Sequence, residues 1–155
     1  MRIAYLADHT DAVPVLARWH HEQWGFITPG LTLDERIRRL SSRLGKGQIP
    51  CTFVALQDEQ PLGQASLVLH DMEARKNLSP WLGGVLVGKE YRRQGVGTAL
   101  CDRVVQEAAA LAVKRLYLFT YDKVAFYQRR GWSVLGQAEY AGYKVTVMDR
   151  DLSGA

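Results

Sequence analysis

Cysteine is scarce in this sequence and long apolar runs are missing, and each shortage removes a class of protein. Cys51 and Cys101 are the only cysteines. One opens a strand pattern and the other lies on the apolar face of a helix pattern, so both read as small buried side chains rather than a disulfide framework. No stretch approaches the roughly 18 apolar residues of a membrane span, and Met1–Leu6 meets charge too soon to be a secretory leader. A cytoplasmic protein with no membrane partner is expected. The histidines His9, His20, His21 and His70 lack the spacing of a metal site, and the adjacent pair should project to different sides of its helix. No metal is expected. Repeats, low-complexity tracts and linkers are also missing, so residues 1–155 are expected to form a single domain.

The composition that is present is that of a globular protein, 47% hydrophobic. Twenty basic residues against sixteen acidic ones give a net charge of +4, a mild excess that suits an anionic ligand. Arg36, Arg38, Arg39 and Arg43 concentrate that charge on one helix and raise nucleic acid as a partner. Interleaved aromatics and a recognition-helix pattern are lacking there, so no nucleic acid is expected.

Hydrophobic periodicity lays out the elements. Residues 2–7 read as a strand, and Val13, Leu16, Ala17, His20 and Trp24 mark one face of a helix after Thr10. Thr32-Leu33-Asp34-Glu35 is a capping box for a second helix that should run to Gly45. Between them, Gly25-Phe26-Ile27-Thr28-Pro29-Gly30 resembles a covering loop. Strand patterns follow at 51–57 and 62–70, joined by a turn at Asp58-Glu59-Gln60-Pro61, and then at 81–87. A helix over 98–113 precedes Leu116-Tyr117-Leu118-Phe119, a run expected to be buried on both faces. A short helix around Ala125–Gln128 and two strands, 132–138 and 143–149, complete the order.

The most informative stretch is Tyr91-Arg92-Arg93-Gln94-Gly95-Val96-Gly97-Thr98, which joins the apolar strand Val85-Leu86-Val87 to the helix carrying Leu100, Cys101, Val104 and Ala108. A strand that passes through glycines into a helix leaves unpaired N–H groups, which with the helix dipole bind phosphate. A dinucleotide fingerprint would need a third glycine where Leu100 stands, and a Walker loop would need Gly-Lys-Ser/Thr. Neither is present. Arg92-x-x-Gly95-x-Gly97 instead resembles the pyrophosphate loop of the GNAT superfamily of acyl-CoA-dependent N-acyltransferases. Ala125-Phe126-Tyr127-x-x-x-Gly131-Trp132 is similar to a second segment of that family, at matching distance and in matching order.

The resemblance implies a mixed α/β fold of the GNAT type, with a central twisted sheet of about seven strands flanked by about four helices. It implies acetyl-CoA as co-substrate, its pyrophosphate on the backbone of Arg92, Arg93, Gln94, Gly95, Val96, Gly97 and Thr98, and its pantetheine arm beside Val85, Leu86 and Val87. A backbone N–H near Leu86 or Val87 would meet the thioester oxygen. Tyr127 matches the family's general acid, a phenol able to return a proton to the departing sulfur. Thr120 stands where many members carry asparagine, and Lys123 where many carry alanine. Thr120 is retained as a pantetheine contact, while Lys123, Arg129 and Arg130 are candidate phosphate contacts.

The activity implied is transfer of an acetyl group to a primary amine of a small molecule or a peptide N-terminus; the alternative is a non-catalytic acyl-CoA-binding module. The strand at 81–87 carries no acid, so either a base comes from Glu22, His70, Asp71, Glu73 or a water chain, or the substrate arrives neutral. Asp71 could also attract a cationic substrate, with Trp24, Phe26 and Trp81 as apolar walls. Monomer and homodimer both remain open, with Tyr140–Met148 able to supply a strand to a partner copy.

Overall fold

The structure, a computed structural model, describes residues 1–154. Its elements follow the anticipated order: β1 (Arg2–Tyr5), α1 (Val13–Trp24), α2 (Leu33–Ser41), β2 (Cys51–Gln57), β3 (Gln60–Val68), β4 (Trp81–Val87), α3 (Val96–Ala110), β5 (Arg115–Thr120), α4 (Val124–Gln128), β6 (Ser133–Tyr140) and β7 (Tyr143–Asp151). The strands form one mixed sheet of seven in the order β1-β2-β3-β4-β5-β7-β6.

Apolar stripes on the helices explain the layering. Leu100, Cys101, Val104 and Ala108 of α3 are fully buried against Phe53, Ala65, Leu82 and Leu118. On the other face, Val13, Leu16 and Ala17 of α1 and Leu40 of α2 pack on Val54 and Leu56. Burying such side chains contributes roughly 1.5–3 kcal/mol each, which holds helices on both faces of the sheet.

Local chemistry sets the ends. The Thr32 Oγ1 accepts from Glu35 N at 3.1 Å, the expected cap of α2. That helix stops at Ser41 instead of running to Gly45, and Ser42 Oγ donates to the Arg39 carbonyl there, a local bond that competes with helix continuation. The β2–β3 turn is tighter than expected. Asp58 and Glu59 alone form it, at φ of 50° and 66°, so Pro61 falls inside β3. β5 is not buried on both faces: Leu116, Leu118 and Thr120 are buried while Tyr117 and Phe119 are half-buried. Their face is covered by Trp81 and Tyr140 rings rather than by a helix.

Two features of β4 position the site. Ser66 pairs with Gly83 but Gln64 pairs with Leu86, so β4 carries one extra residue, a bulge at Gly84. Gly84 adopts φ +60°, which glycine reaches without a Cβ penalty. Every neighbouring strand pair is antiparallel except β4 and β5, whose connection through α3 makes them parallel. These two strands share a single pair, Trp81 with Tyr117, and then diverge.

Candidate active site

A cleft of about 980 Å³ opens where β4 and β5 part. From Gly83 to Val87 the backbone of β4 has no ladder partner on that side, so its N–H and C=O groups are free to pair with an extended ligand. Helix α3 starts at one end of the cleft and the bulge lies at the other. At about 3.3 Å per residue the three steps from Gly84 to Val87 separate them by about 10 Å.

The α3 end is made of backbone. Arg93 and Gly95 both adopt left-handed conformations, at φ of 63° and 82°, and no side chain caps the helix. The first intrahelical bond is donated by Ala99 N to Gly95 O, so earlier N–H groups of the turn have no helical acceptor and converge on the cleft. A Cβ on Gly97 would meet only Val87 Cγ2 at 3.6 Å and Phe126 Cζ at 4.0 Å, so packing alone does not require glycine there. Several flanking side chains brace the loop. Arg92 donates to Val87 O at 3.2 Å and Gln23 Oε1 at 2.8 Å, and Arg130 donates to Thr98 Oγ1 at 3.0 Å while its guanidinium stacks 3.7 Å over the Phe126 ring. Lys123 and Arg129 line the cleft from exposed positions. Gln94 is exposed and its amide donates to Glu90 O, and Val96 packs its side chain into the core.

Tyr127 lines the middle of the cleft, 7% exposed, with its ring edge-on to Phe126 and Trp132. Burial, with the Cys101 thiol beside it, pushes its phenol well above the usual range, so it stays protonated at any working pH. Thr120 is buried at the cleft wall, and its Oγ1 accepts from Lys123 N at 2.9 Å. That bond makes Thr120 the cap of the turn into α4; its hydroxyl proton is what remains for a ligand.

The bulge end is built from side chains. Asp71, in the segment between β3 and β4, lies over Gly83, where a Cβ would come within 2.7 Å of Oδ2. Burial pushes its carboxyl up to about 6, with Arg43 and Arg39 pulling the other way. Arg36, 5% exposed, donates to His21 Nδ1 at 2.9 Å, to His20 Nδ1 at 3.0 Å and to Thr28 Oγ1 at 2.6 Å. The adjacent histidines therefore converge on one arginine instead of facing apart, because α2 packs across the last turn of α1. Since arginine only donates, both Nδ1 atoms are acceptors and each ring carries its proton on Nε2. Burial and the neighbouring arginines hold His20 down to about 4, so it is neutral.

Several expected residues fall elsewhere. Trp81 is not a wall of the cleft: it is fully buried at the β4–β5 junction and donates Nε1–H to Leu78 O at 2.7 Å. Its run of apolar neighbours made it part of the core. Phe26 is half-exposed outside the cleft and packs edge-on to Tyr121 and Tyr143, so the 25–30 loop reaches across to β5 and β7. Trp24 does line the cleft. Of the four acidic or histidine base candidates only Asp71 reaches it; Glu22, His70 and Glu73 are exposed. Sequence reasoning missed Gln64, His20, Arg39 and Arg43 as cleft residues. The spacing of Arg36 and Arg39, three residues apart, was a signal that they share one face of α2, while Arg43 follows the helix end.

Comparison with known proteins agrees with the fold. Aminoglycoside 6'-acetyltransferase type Ii superposes with a TM-score of 0.77 at 16% identity, covering 98% of this chain and 97% of that one. An aminoglycoside 6'-N-acetyltransferase complexed with coenzyme A gives 0.76 at 16%, with coverage of 98% and 97%. Ribosomal-protein-alanine N-acetyltransferase from Brucella melitensis gives 0.73 at 19%, with 97% and 99%. At these identities the likeness is one of fold. No curated protein matches the sequence. Residues 13–132, most of the chain and both segments singled out above, match the acetyltransferase (GNAT) family, to which this protein belongs.

Proposed function

We propose that the protein is an N-acetyltransferase, acting as a single domain, that takes acetyl-CoA along β4 and passes its acetyl group directly to a primary amine at the bulge end. The observation that carries this reading is the joining in one cleft of an unpaired β4 edge, an uncapped helix start, a buried phenol and a desolvated carboxylate. When bound, acetyl-CoA supplies an activated acyl carbon and a thiol leaving group. The residues fit it: the α3 turn offers converging N–H groups to a diphosphate, and the β4 edge offers backbone partners to the arm's amides.

Asp71 takes a proton from the acceptor ammonium. With its carboxyl raised to about 6, it is ionised at pH 7 yet a far better base than a solvated carboxylate. Tyr127 donates its phenolic proton to the departing sulfur. Desolvation that raises the phenol also raises the proton affinity of a thiolate forming in the same cleft, so the two shifts offset and the phenol protonates the sulfur as the C–S bond breaks.

The test is thiol release from acetyl-CoA across a panel of amines and peptides, with Tyr127→Phe run beside the native protein. Amine-dependent release that drops by about 100-fold in the variant, with acetyl-CoA affinity unchanged, is the expected result. Equal turnover in the variant would remove Tyr127 as the acid, and binding without release for every amine would favour a non-catalytic acyl-CoA-binding module.

A further inference from the structure

The charge at the bulge end has no use in the chemistry described so far. Arg39, on the last turn of α2, and Arg43, just past its end, line the cleft with Arg36, and among the described residues neither Arg39 nor Arg43 forms an ion pair or a side-chain hydrogen bond. Arg43 Nη1 comes within 3.7 Å of where a Cβ on Gly84 would stand, and Gln64 Nε2 within 3.3 Å of the same point. Gln64 is 3% exposed, and while its Nε2 donates to Gly84 O at 3.1 Å, its Oε1 is buried without any hydrogen-bond partner. A buried acceptor in that state is uncommon, and Gln64 thereby holds the bulge carbonyl from behind the cleft wall. Asp71 is the carboxylate at Gly83, while Asp122, the other acid of the cleft lining among the described residues, follows β5, so Arg36, Arg39 and Arg43 outnumber the acids of the cleft at the bulge end.

An acceptor that was only cationic would be repelled by this arrangement. Polyamines and aminoglycosides carry several ammonium groups, and only one of them could meet Asp71. A neutral amine would use neither the half-buried Arg43 nor the exposed Arg39 at the cleft mouth. The diphosphate cannot serve them, because it belongs some 10 Å away at the α3 end.

We infer that the acceptor is a small zwitterion of the α-amino acid type, its amine held by Asp71 and its anionic group by the guanidinium groups of Arg39 and Arg43. Asp71 lies against Gly83 and Arg43 beside Gly84, so charges of both signs stand at the bulge, as the two ends of a zwitterion require. Arg36 adds positive charge to the site while its own donors are used in fixing His20, His21 and Thr28. Arg39 and Arg43 are thus specificity-determining residues for the reaction proposed above, on which this inference rests.

The experiment measures thiol release from acetyl-CoA with L-α-amino acids and with their matching α-carboxamides, alongside spermidine, an aminoglycoside and short peptides with acidic second residues. The native protein and the Arg39→Gln/Arg43→Gln double variant are compared, with acetyl-CoA affinity read by calorimetry. At least one free amino acid should outpace its carboxamide by 10-fold or more in kcat/KM, and the double variant should erase that ratio while binding acetyl-CoA normally. Equal rates for acid and amide, a preference for the polyamine, aminoglycoside or acidic peptide, or a ratio that survives in the double variant would overturn the inference and leave the transferase intact. Absence of release with every amine, despite acetyl-CoA binding, would overturn the transferase reading and this one with it.

Discussion

The two ends of the cleft are made of different material. At the α3 end the ligand-facing atoms are backbone N–H groups, set by two left-handed residues and the start of one helix. At the bulge end they are side chains drawn from α1, α2, β3 and the segment before β4, brought together by packing. A backbone site needs only that side chains stay out of the way, whereas a side-chain site needs each residue delivered by a different part of the fold. The first tolerates change in most of its residues and the second in few, and that difference can be tested.

The largest effect expected at the backbone end is from Gly97→Ala. The added Cβ meets only ordinary contacts within the protein, so the fold should hold and even gain up to about 1 kcal/mol from the better helix former. The same methyl stands where a phosphate would approach the helix start, and the KM for acetyl-CoA should rise by about 100-fold. Denaturation midpoints together with KM check both halves. A glycine kept for folding would show the opposite pairing, lost stability with intact affinity.

At the side-chain end, Arg36→Ala should cost about 2–4 kcal/mol in urea unfolding, because the His20, His21 and Thr28 acceptors lose one shared buried donor. Arg36→Lys should recover little of it, since an ammonium cannot span three acceptors held at fixed angles. Asp71→Asn should act in the reverse sense on stability. Below pH 4 both the folded and unfolded carboxyls are protonated; between about pH 4 and 6 only the folded one keeps its proton. Stability therefore falls as pH rises through that window, and the penalty persists above it. Asparagine removes the penalty, so the variant should be more stable than the native protein at pH 7.5, by about 1–3 kcal/mol, and indistinguishable from it at pH 3.5. The smallest effect belongs to Arg92→Ala at the α3 end, a few-fold rise in the KM for acetyl-CoA, because its exposed guanidinium braces the loop through Val87 O and Gln23.

The same contrast explains what could be read in the sequence. Gly95, Gly97, the strand before them and the helix after them are local, so periodicity and spacing exposed the α3 end, and Thr32 and Glu35 announced their cap in the same way. Tyr127 was legible through a second local pattern. Nothing local reports that β4 bulges at Gly84, because two adjacent glycines in a strand state a freedom and not its use. Trp81 shows the limit from the other side: an aromatic opening the strand after Asp71 reads like a wall, and only the β4–β5 junction shows that it fills the core. His20 and His21 looked divergent because a helix wheel ignores a third chain segment that reaches both. Arg39 and Arg43 were visible as charge, yet which surface they faced depended on how α2 packs against α1.

The central claim is that one cleft holds a cofactor end and a chemical end that can be separated by mutation. The most direct test is Asp71→Asn, with acetyl-CoA affinity measured by calorimetry and amine-dependent thiol release measured from pH 5 to 9. The account predicts unchanged affinity, a native kcat/KM that climbs with pH through a midpoint near 6, and release reduced by about 100-fold or more in the variant with that midpoint gone. Native-like release and an unaltered pH profile in Asp71→Asn would contradict it.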